Sequence, residues 1–301
     1  MADVFVAGSI NQDFVLSVER RPAPGETVTD ARLATHNGGK GANQAAAAAL
    51  LGAGVTFLGC VGDDGFGEPL VRALAEKGVD TSLVQEVSGS STGTAFITVT
   101  PDGENAITVA PGANRRLTVE DVDAVSESIG EAKVLIAQME IPPEAVRRAV
   151  EIAEANETRA LVNLAPPFEV SQALLEKLDP LVLNEHEAAF LLGESVEGVD
   201  GALSAASELL DLGPRSVVVT VGEDGAVFSS GASVEHLTAP SVEVVDTTGA
   251  GDAFVGALAA RLAADAPLED AVAYAARAGA AAVTKEGAQG ALPTPDVVEA
   301  L

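Results

Sequence analysis

VLIAQMEIPPEAVRRAVEIAEANETRALVNL, residues 134–164, holds the unit on which the chain is built. Val134–Ala137 is an uncharged apolar run of the length of a buried strand. Pro142-Pro143 opens a helix over 143–155, because proline suits the first helical turn and cannot continue a strand, and 160–164 is an apolar strand again. Strand, crossover helix and second strand make a βαβ unit. The same alternation runs outward. Upstream lie a strand at Val4–Ala7, an Ala-rich helix at Ala42–Leu51, a strand at Val55–Val61 and a helix at 118–128. Downstream lie a helix at 171–177, a strand at Leu181–Leu183, a helix at 199–211, a strand at Ser216–Val221, and helices at about 250–264 and 268–282. The expected fold is α/β, with a central mainly parallel sheet flanked by helices, in a single domain over 1–301.

Two stretches break the alternation. Residues of about 12–36 and 88–110 carry Thr, Val and Ile with turn signals at Pro24-Gly25 and Asp102-Gly103, which is β-hairpin composition. Inserted at two places, they are expected to meet as a small sheet covering one edge of the domain, a lid.

Composition narrows the function. Of 301 residues 47% are hydrophobic but only 3% aromatic, with no Trp and one Tyr, Tyr274, so Ala, Val and Leu must build the core and no base-stacking platform is available. Seventeen lysines and arginines face 45 aspartates and glutamates, a net charge of −28. That balance excludes nucleic acid as a partner. The excess is spread along the chain, which points to a halophilic, very salty cytoplasm, since the screening length falls from about 8 Å at 0.15 M salt to about 3 Å at 1 M. A single cysteine, Cys60, excludes an internal disulfide and any multi-cysteine metal site, and His36, His186 and His236 lack ligand spacing. With no basic-then-apolar leader and no 18-residue apolar run, no membrane partner is expected and a cytoplasmic location is.

Three glycine segments remain. Asn37-Gly38-Gly39-Lys40-Gly41-Ala42-Asn43 fails as a P-loop, because Gly41 follows the lysine where Ser or Thr is needed. It reads as a turn opening a helix with Lys40 and Asn43 one turn apart, a geometry that suits hydroxyl recognition or no more than a cap. Gly59-Cys60-Val61-Gly62-Asp63-Asp64-Gly65 has the wrong spacing for a dinucleotide fingerprint, which removes the oxidoreductase alternative, and reads as a tight turn before a helix. Val245-Asp246-Thr247-Thr248-Gly249-Ala250-Gly251-Asp252 frees the first amides of a helix for an anion, and Asp252 is either a proton acceptor beside that anion or a helix cap.

Gly8-Ser9-Ile10-Asn11, Pro24-Gly25-Glu26-Thr27, Gly38–Ala45 and Asp246–Asp252, in this order, resemble the signatures of the PfkB family of carbohydrate kinases over nearly the whole chain. The resemblance implies a ribokinase-like fold with a β-lid and the transfer of phosphate from ATP to O5 of D-ribose, or in the alternative to deoxyribose, fructose, ribose 1-phosphate or a nucleoside. A non-catalytic sugar-binding homologue is the weaker reading. By the same resemblance Asp252 is the general base, and the Gly249, Ala250 and Gly251 amides form the anion hole. Asn11, Asp13, Gly39, Lys40, Asn43 and Glu140 hold the sugar hydroxyls under Ala95, Ile97 and Val109 of the lid. Asn184, Thr220, Gly222, Gly225 and Gly251 serve the nucleotide, and Glu187, three residues from Asn184 on one helical face, serves Mg²⁺. A monovalent cation, K⁺, falls to Asp246, Thr248, Ala282, Lys285 and Gly287, mostly through backbone oxygens. A homodimer through the lids completes what the resemblance implies.

Overall fold

The computed structural model describes residues 3–102, 105–231 and 233–301. Its strands are β1 (Val4–Ala7), β2 (Asn11–Ser17), β3 (Arg32–Gly38), β4 (Val55–Gly62), β5 (Val79–Val87), β6 (Gly93–Val99), β7 (Asn105–Ala110), β8 (Val134–Gln138), β9 (Arg159–Asn163), β10 (Leu181–Asn184), β11 (Val217–Thr220), β12 (Ala226–Ser229) and β13 (Val234–Leu237). Nine of them form one sheet in the order β5-β4-β1-β8-β9-β10-β11-β12-β13. Neighbours from β5 to β11 are parallel, and β12 and β13 close the edge antiparallel. Continuous runs such as VFVA in β1 and VLIAQ in β8 are wholly buried, as strands covered on both faces require.

Helices Lys40–Leu50, Ala250–Ala263 and Leu268–Ala282 cover one face, and Pro143–Ala155 with Gly198–Asp211 cover the other. The chain leaves β1 for β4 and β5 on one side, then returns to β8 on the other. The order therefore reverses between β1 and β8, and ligands of open parallel sheets bind outside the strand ends at such a reversal.

The second sheet has the order β3-β2-β6-β7, with β2–β6 parallel and the outer pairs antiparallel. Because β2 starts four residues after β1 ends, this sheet grows from the reversal point itself. Gly103 of the expected turn lies outside the described residues.

The boundaries differ from the sequence reading in a few places. The helix expected at 118–128 is two, Val119–Ala124 and Ser126–Glu131, because Val125 interrupts the helical geometry. Of the second hairpin region expected at 88–110, residues 88–92 form the turn that leads into β6 at Gly93, and the preceding strand Val79–Val87, which pairs in parallel with β4 in the large sheet, was not read from the sequence. The edge pair β12–β13, two four-residue strands, carried no readable period. Among the described residues no helix is long and apolar enough to cross a membrane.

Candidate active site

Helix Ala250–Ala263 begins at Gly249, whose φ of 79° lies in the left-handed region. A Cβ there would meet the Ala288 Cα at 2.9 Å, so both the turn and the neighbouring loop demand glycine. The first-turn amides have no intrahelical acceptor. One of the three expected for an anion is partly engaged, however: the Ala250 N–H donates to the Thr247 carbonyl at 3.3 Å. No side chain caps this helix, and Asp252 points elsewhere. Its Oδ2 accepts from Asn43 Nδ2 and its Oδ1 from Gln44 Nε2, both at 2.9 Å, and it is 8% exposed. The capping alternative for Asp252 is thereby removed.

Helix Lys40–Leu50 starts over the end of β1. Its first amide, from Lys40, donates to Glu140 Oε2 at 3.0 Å, and the Ser9 hydroxyl donates to the same oxygen at 2.5 Å. A carboxylate at a helix N-terminus is favoured by the aligned peptide dipoles, so Glu140 joins the segment after β8 to the Gly38-Gly39 turn. In β2, Asn11 Oδ1 accepts from Asn114 Nδ2 at 2.7 Å. Asp13 lies against Gly38 so closely that a Cβ on Gly38 would stand 2.0 Å from Asp13 Oδ2. Strand register puts Asp13, Ala95 and Val109 in one row, and Ile97 two residues along on the same face. The expected apolar lid residues thus share a face with the expected sugar carboxylate.

A cavity of about 250 Å³ brings together Lys40, Asn184, Glu187, Thr220, Gly249, Gly251 and Asp252. A larger depression, about 430 Å³, lies between Arg20 and Pro101 on the small sheet, where the lining is mostly exposed and no ionisable group is buried. Charge concentrates at the smaller one. Burial lowers the Lys40 pKa, but Asp252, Glu140, Glu187 and Asp13 around it outweigh burial and hold the ammonium above its ordinary value. Burial, then the charges of Glu140 and Asp252, push Asp13 up to about 7 against the opposing pull of Lys40. Burial also raises Glu187, against the Asn184 N–H and Lys40.

Asn184 is not on a helical face with Glu187. It is the N-cap of helix Glu185–Leu192, and the two side chains form a reciprocal capping box: Asn184 Oδ1 accepts the Glu187 N–H, and Glu187 Oε2 accepts the Asn184 N–H, each at 2.8 Å. One Glu187 oxygen is left for another partner. The segment from Thr220 through Gly222 to Gly225 forms the 3₁₀ turn between β11 and β12, with Thr220 at the cavity. Asp246 ties two loops, accepting the Thr248 N–H at 2.9 Å and the Gly287 N–H at 2.8 Å. Although burial raises it, these bonds bring its pKa below the usual carboxylate value. The Ala282 carbonyl accepts weakly from the Lys285 N–H at 3.5 Å. No group of three or more His, Cys, Asp or Glu with metal-binding geometry occurs among the described residues.

Four polar residues of this region were given no role by the sequence reading: Gln44, Gln138, Asn163 and Asn114. Gln44 breaks an alanine run and Gln138 ends an apolar strand, and each is 0% exposed. A polar residue where periodicity predicts burial was the available signal.

The profile of the pfkB family of carbohydrate kinases matches residues 1–295. A ribokinase of Haemophilus influenzae is 39% identical over 289 residues, covering 96% of this chain and 94% of that protein. A deoxyribokinase of Salmonella typhi is 36% identical over 293 residues, covering 97% and 96%. The structure of Arabidopsis thaliana ribokinase complexed with ribose and ATP superposes with a TM-score of 0.91 at 30% identity, covering 99% of this chain and 98% of that one.

Proposed function

Because the chain belongs to the pfkB family of carbohydrate kinases, we propose that it phosphorylates D-ribose at O5 with ATP, giving D-ribose 5-phosphate and ADP. The observation that carries this reading is Asp252: a buried carboxylate in the first turn of an uncapped helix, in one cavity with Lys40 and Glu187. Asp252 accepts the proton of the sugar hydroxyl as that oxygen attacks the γ-phosphorus, and the Gly249 and Gly251 amides, helped by Ala250, receive the charge on the transferring group. Asn11, Asp13, Gly39, Lys40, Asn43 and Glu140 hold the hydroxyls. Asp13 Oδ1 and Asn43 Oδ1 are buried without a protein partner, which fits acceptors aimed at a polyol. The small sheet serves as a lid whose Ala95, Ile97 and Val109 cover the sugar and exclude water.

The free oxygen of Glu187 fits Mg²⁺, which keeps several waters and takes one carboxylate beside phosphate oxygens. Bound there, it supplies positive charge to the β- and γ-phosphates. The loops joined by Asp246 offer backbone oxygens at Thr248, Ala282, Lys285 and Gly287 for K⁺, which adds a second cationic field near the mouth. Thr220, Gly222, Gly225 and Asn184 serve the nucleotide. Strands β3 and β7 leave the lid with two open edges, and β7 is exposed along its whole length, which supports a homodimer through the lids. We take the enzyme to be cytoplasmic.

The similarity to a deoxyribokinase keeps 2-deoxyribose as the second reading. ATP consumption on ribose, deoxyribose, fructose, ribose 1-phosphate and nucleosides decides between them: a site with satisfied buried polar groups rejects an analogue lacking one hydroxyl by up to about 10⁴. Faster turnover on another member overturns ribose. Asp252→Asn is expected to keep ribose binding and lose turnover by on the order of 10³; unchanged turnover refutes the base assignment.

A further inference from the structure

Gln44 is completely buried on helix Lys40–Leu50, and every polar atom of its side chain is used. Its Nε2 donates to Asp252 Oδ1 at 2.9 Å and to Asn163 Oδ1 at 3.0 Å, while its Oε1 accepts from Gln138 Nε2 at 2.7 Å. The direction of this amide is locked at both ends. Asn163 must present its oxygen to Gln44 because its own Nδ2 donates to the Val182 carbonyl at 3.2 Å, and an ionised Asp252 can only accept. A flipped Gln44 would set its oxygen against two acceptors.

We infer that Gln44 is the positioning residue for the phosphoryl-transfer base, aiming Asp252 through a one-way chain of buried amides anchored on β8, β9 and β10. The inference rests on the reading of Asp252 as base. Asn43 Nδ2 fixes the other carboxylate oxygen, so each oxygen spends one acceptor site on the protein and the carboxylate plane is set from two sides. Asn43 and Gln44 are adjacent in sequence and hold one group from 209 and 208 residues away. Two consecutive amides on one rigid helix fix a plane where one would allow rotation. Gln138 and Asn163 act one step further back, by holding Gln44.

Gln44→Met keeps length and burial while removing the donor. In the full-length enzyme with MgATP it is expected to lower kcat by about 10²-fold, the scale of a misplaced reacting group, with the Kd for D-ribose from calorimetry changed less than about threefold. Gln138→Met is expected to cost less in kcat than Gln44→Met. The decisive measurement is the pair Asp252→Asn and Asp252→Asn/Gln44→Met. A residue that acts through the carboxylate adds no further loss once the carboxylate is gone, whereas one that only supports the fold costs the same in both backgrounds. Equal losses in the two backgrounds, or a ribose Kd that worsens in step with kcat, overturn the inference. Gln44→Asn, which draws the amide back by one methylene, is expected to show the same split where the methionine variant does not fold. Failure of the base reading is visible separately, as full turnover in Asp252→Asn alone.

Discussion

Asp13 shows how far a single residue is bent by its surroundings. Its carboxyl, pushed up to about 7 by burial and by the charges of Glu140 and Asp252, stays protonated in the folded chain between about 4 and about 7, where an unfolded aspartate is ionised. The folded state therefore binds more protons across that window, and stability contributed there is lost as pH rises through it. Sugar affinity runs the other way if the ionised carboxylate accepts the hydroxyls. Asp13→Asn is accordingly expected to raise Tm at pH 8 by about 2–6 °C, to raise it less at pH 5, and to weaken ribose binding at pH 8. Calorimetric melting at both pH values with ribose titrations checks this; a Tm gain equal at pH 5 and pH 8 contradicts it. At this scale much of the site was legible. Lys40, Gly249, Gly251 and Asp252 were singled out by their glycine motifs and Glu187 and Thr220 by the family resemblance, and all six line one cavity. Gln44, Gln138 and Asn163 were not singled out, because their chemistry is defined only by partners on other elements.

At the scale of elements, the readable parts were those with a strong period and clean punctuation. Pro143–Ala155 was found to the residue, opened by its proline pair, and Ala250–Ala263 and Leu268–Ala282 to within a residue. The edge strands β12 and β13 and the split at Val125 are set by neighbours rather than by local pattern, so the sequence was silent on them. One close helix contact was equally hidden. A Cβ at Gly256 would stand 2.5 Å from Ala47 Cβ and 2.6 Å from the Gln44 carbonyl oxygen, so the helix carrying Asp252 touches the helix carrying Asn43 and Gln44 at backbone distance. Gly256→Ala is expected to destabilise by about 1–3 kcal/mol through overpacking, although alanine is the better helix former by about 1 kcal/mol, and to lower kcat because the helices must separate. Gly279→Ala, on the next helix, is the control: its Cβ would meet nothing closer than 3.4 Å, and it is expected to be neutral or stabilising. Urea unfolding of both variants decides; equal stabilities refute the close-contact argument.

At the scale of the whole molecule, charge is the dominant unbalanced quantity. With 45 acidic and 17 basic residues the surplus is 28, and among the described residues only Asp13, Glu187 and Asp252 are buried acids. The exposed ion pairs, such as Arg148 with Asp123 and Lys133 with Asp265, are worth about 0–1 kcal/mol each. Added salt weakens those few attractions but screens the far more numerous repulsions between unpaired carboxylates, so the net sign is stabilising. The same screening is expected to serve function, because Lys40 lies among the acidic groups Asp252, Glu140, Glu187 and Asp13, whose negative charge opposes an ATP anion. Tm is therefore expected to rise by on the order of 10 °C between 0.1 and 2 M KCl, and the KM for ATP to fall over the same range. Screening depends on ionic strength and continues to molar salt whichever cation carries it, whereas the proposed K⁺ site in the Asp246 and Gly287 loops would saturate and distinguish K⁺ from Na⁺. Parallel titrations with KCl and NaCl separate the two, the shared slope reporting the surface and the difference reporting the loops. A Tm that stays flat or falls between 0.1 and 2 M in both salts removes the high-salt reading of this surface.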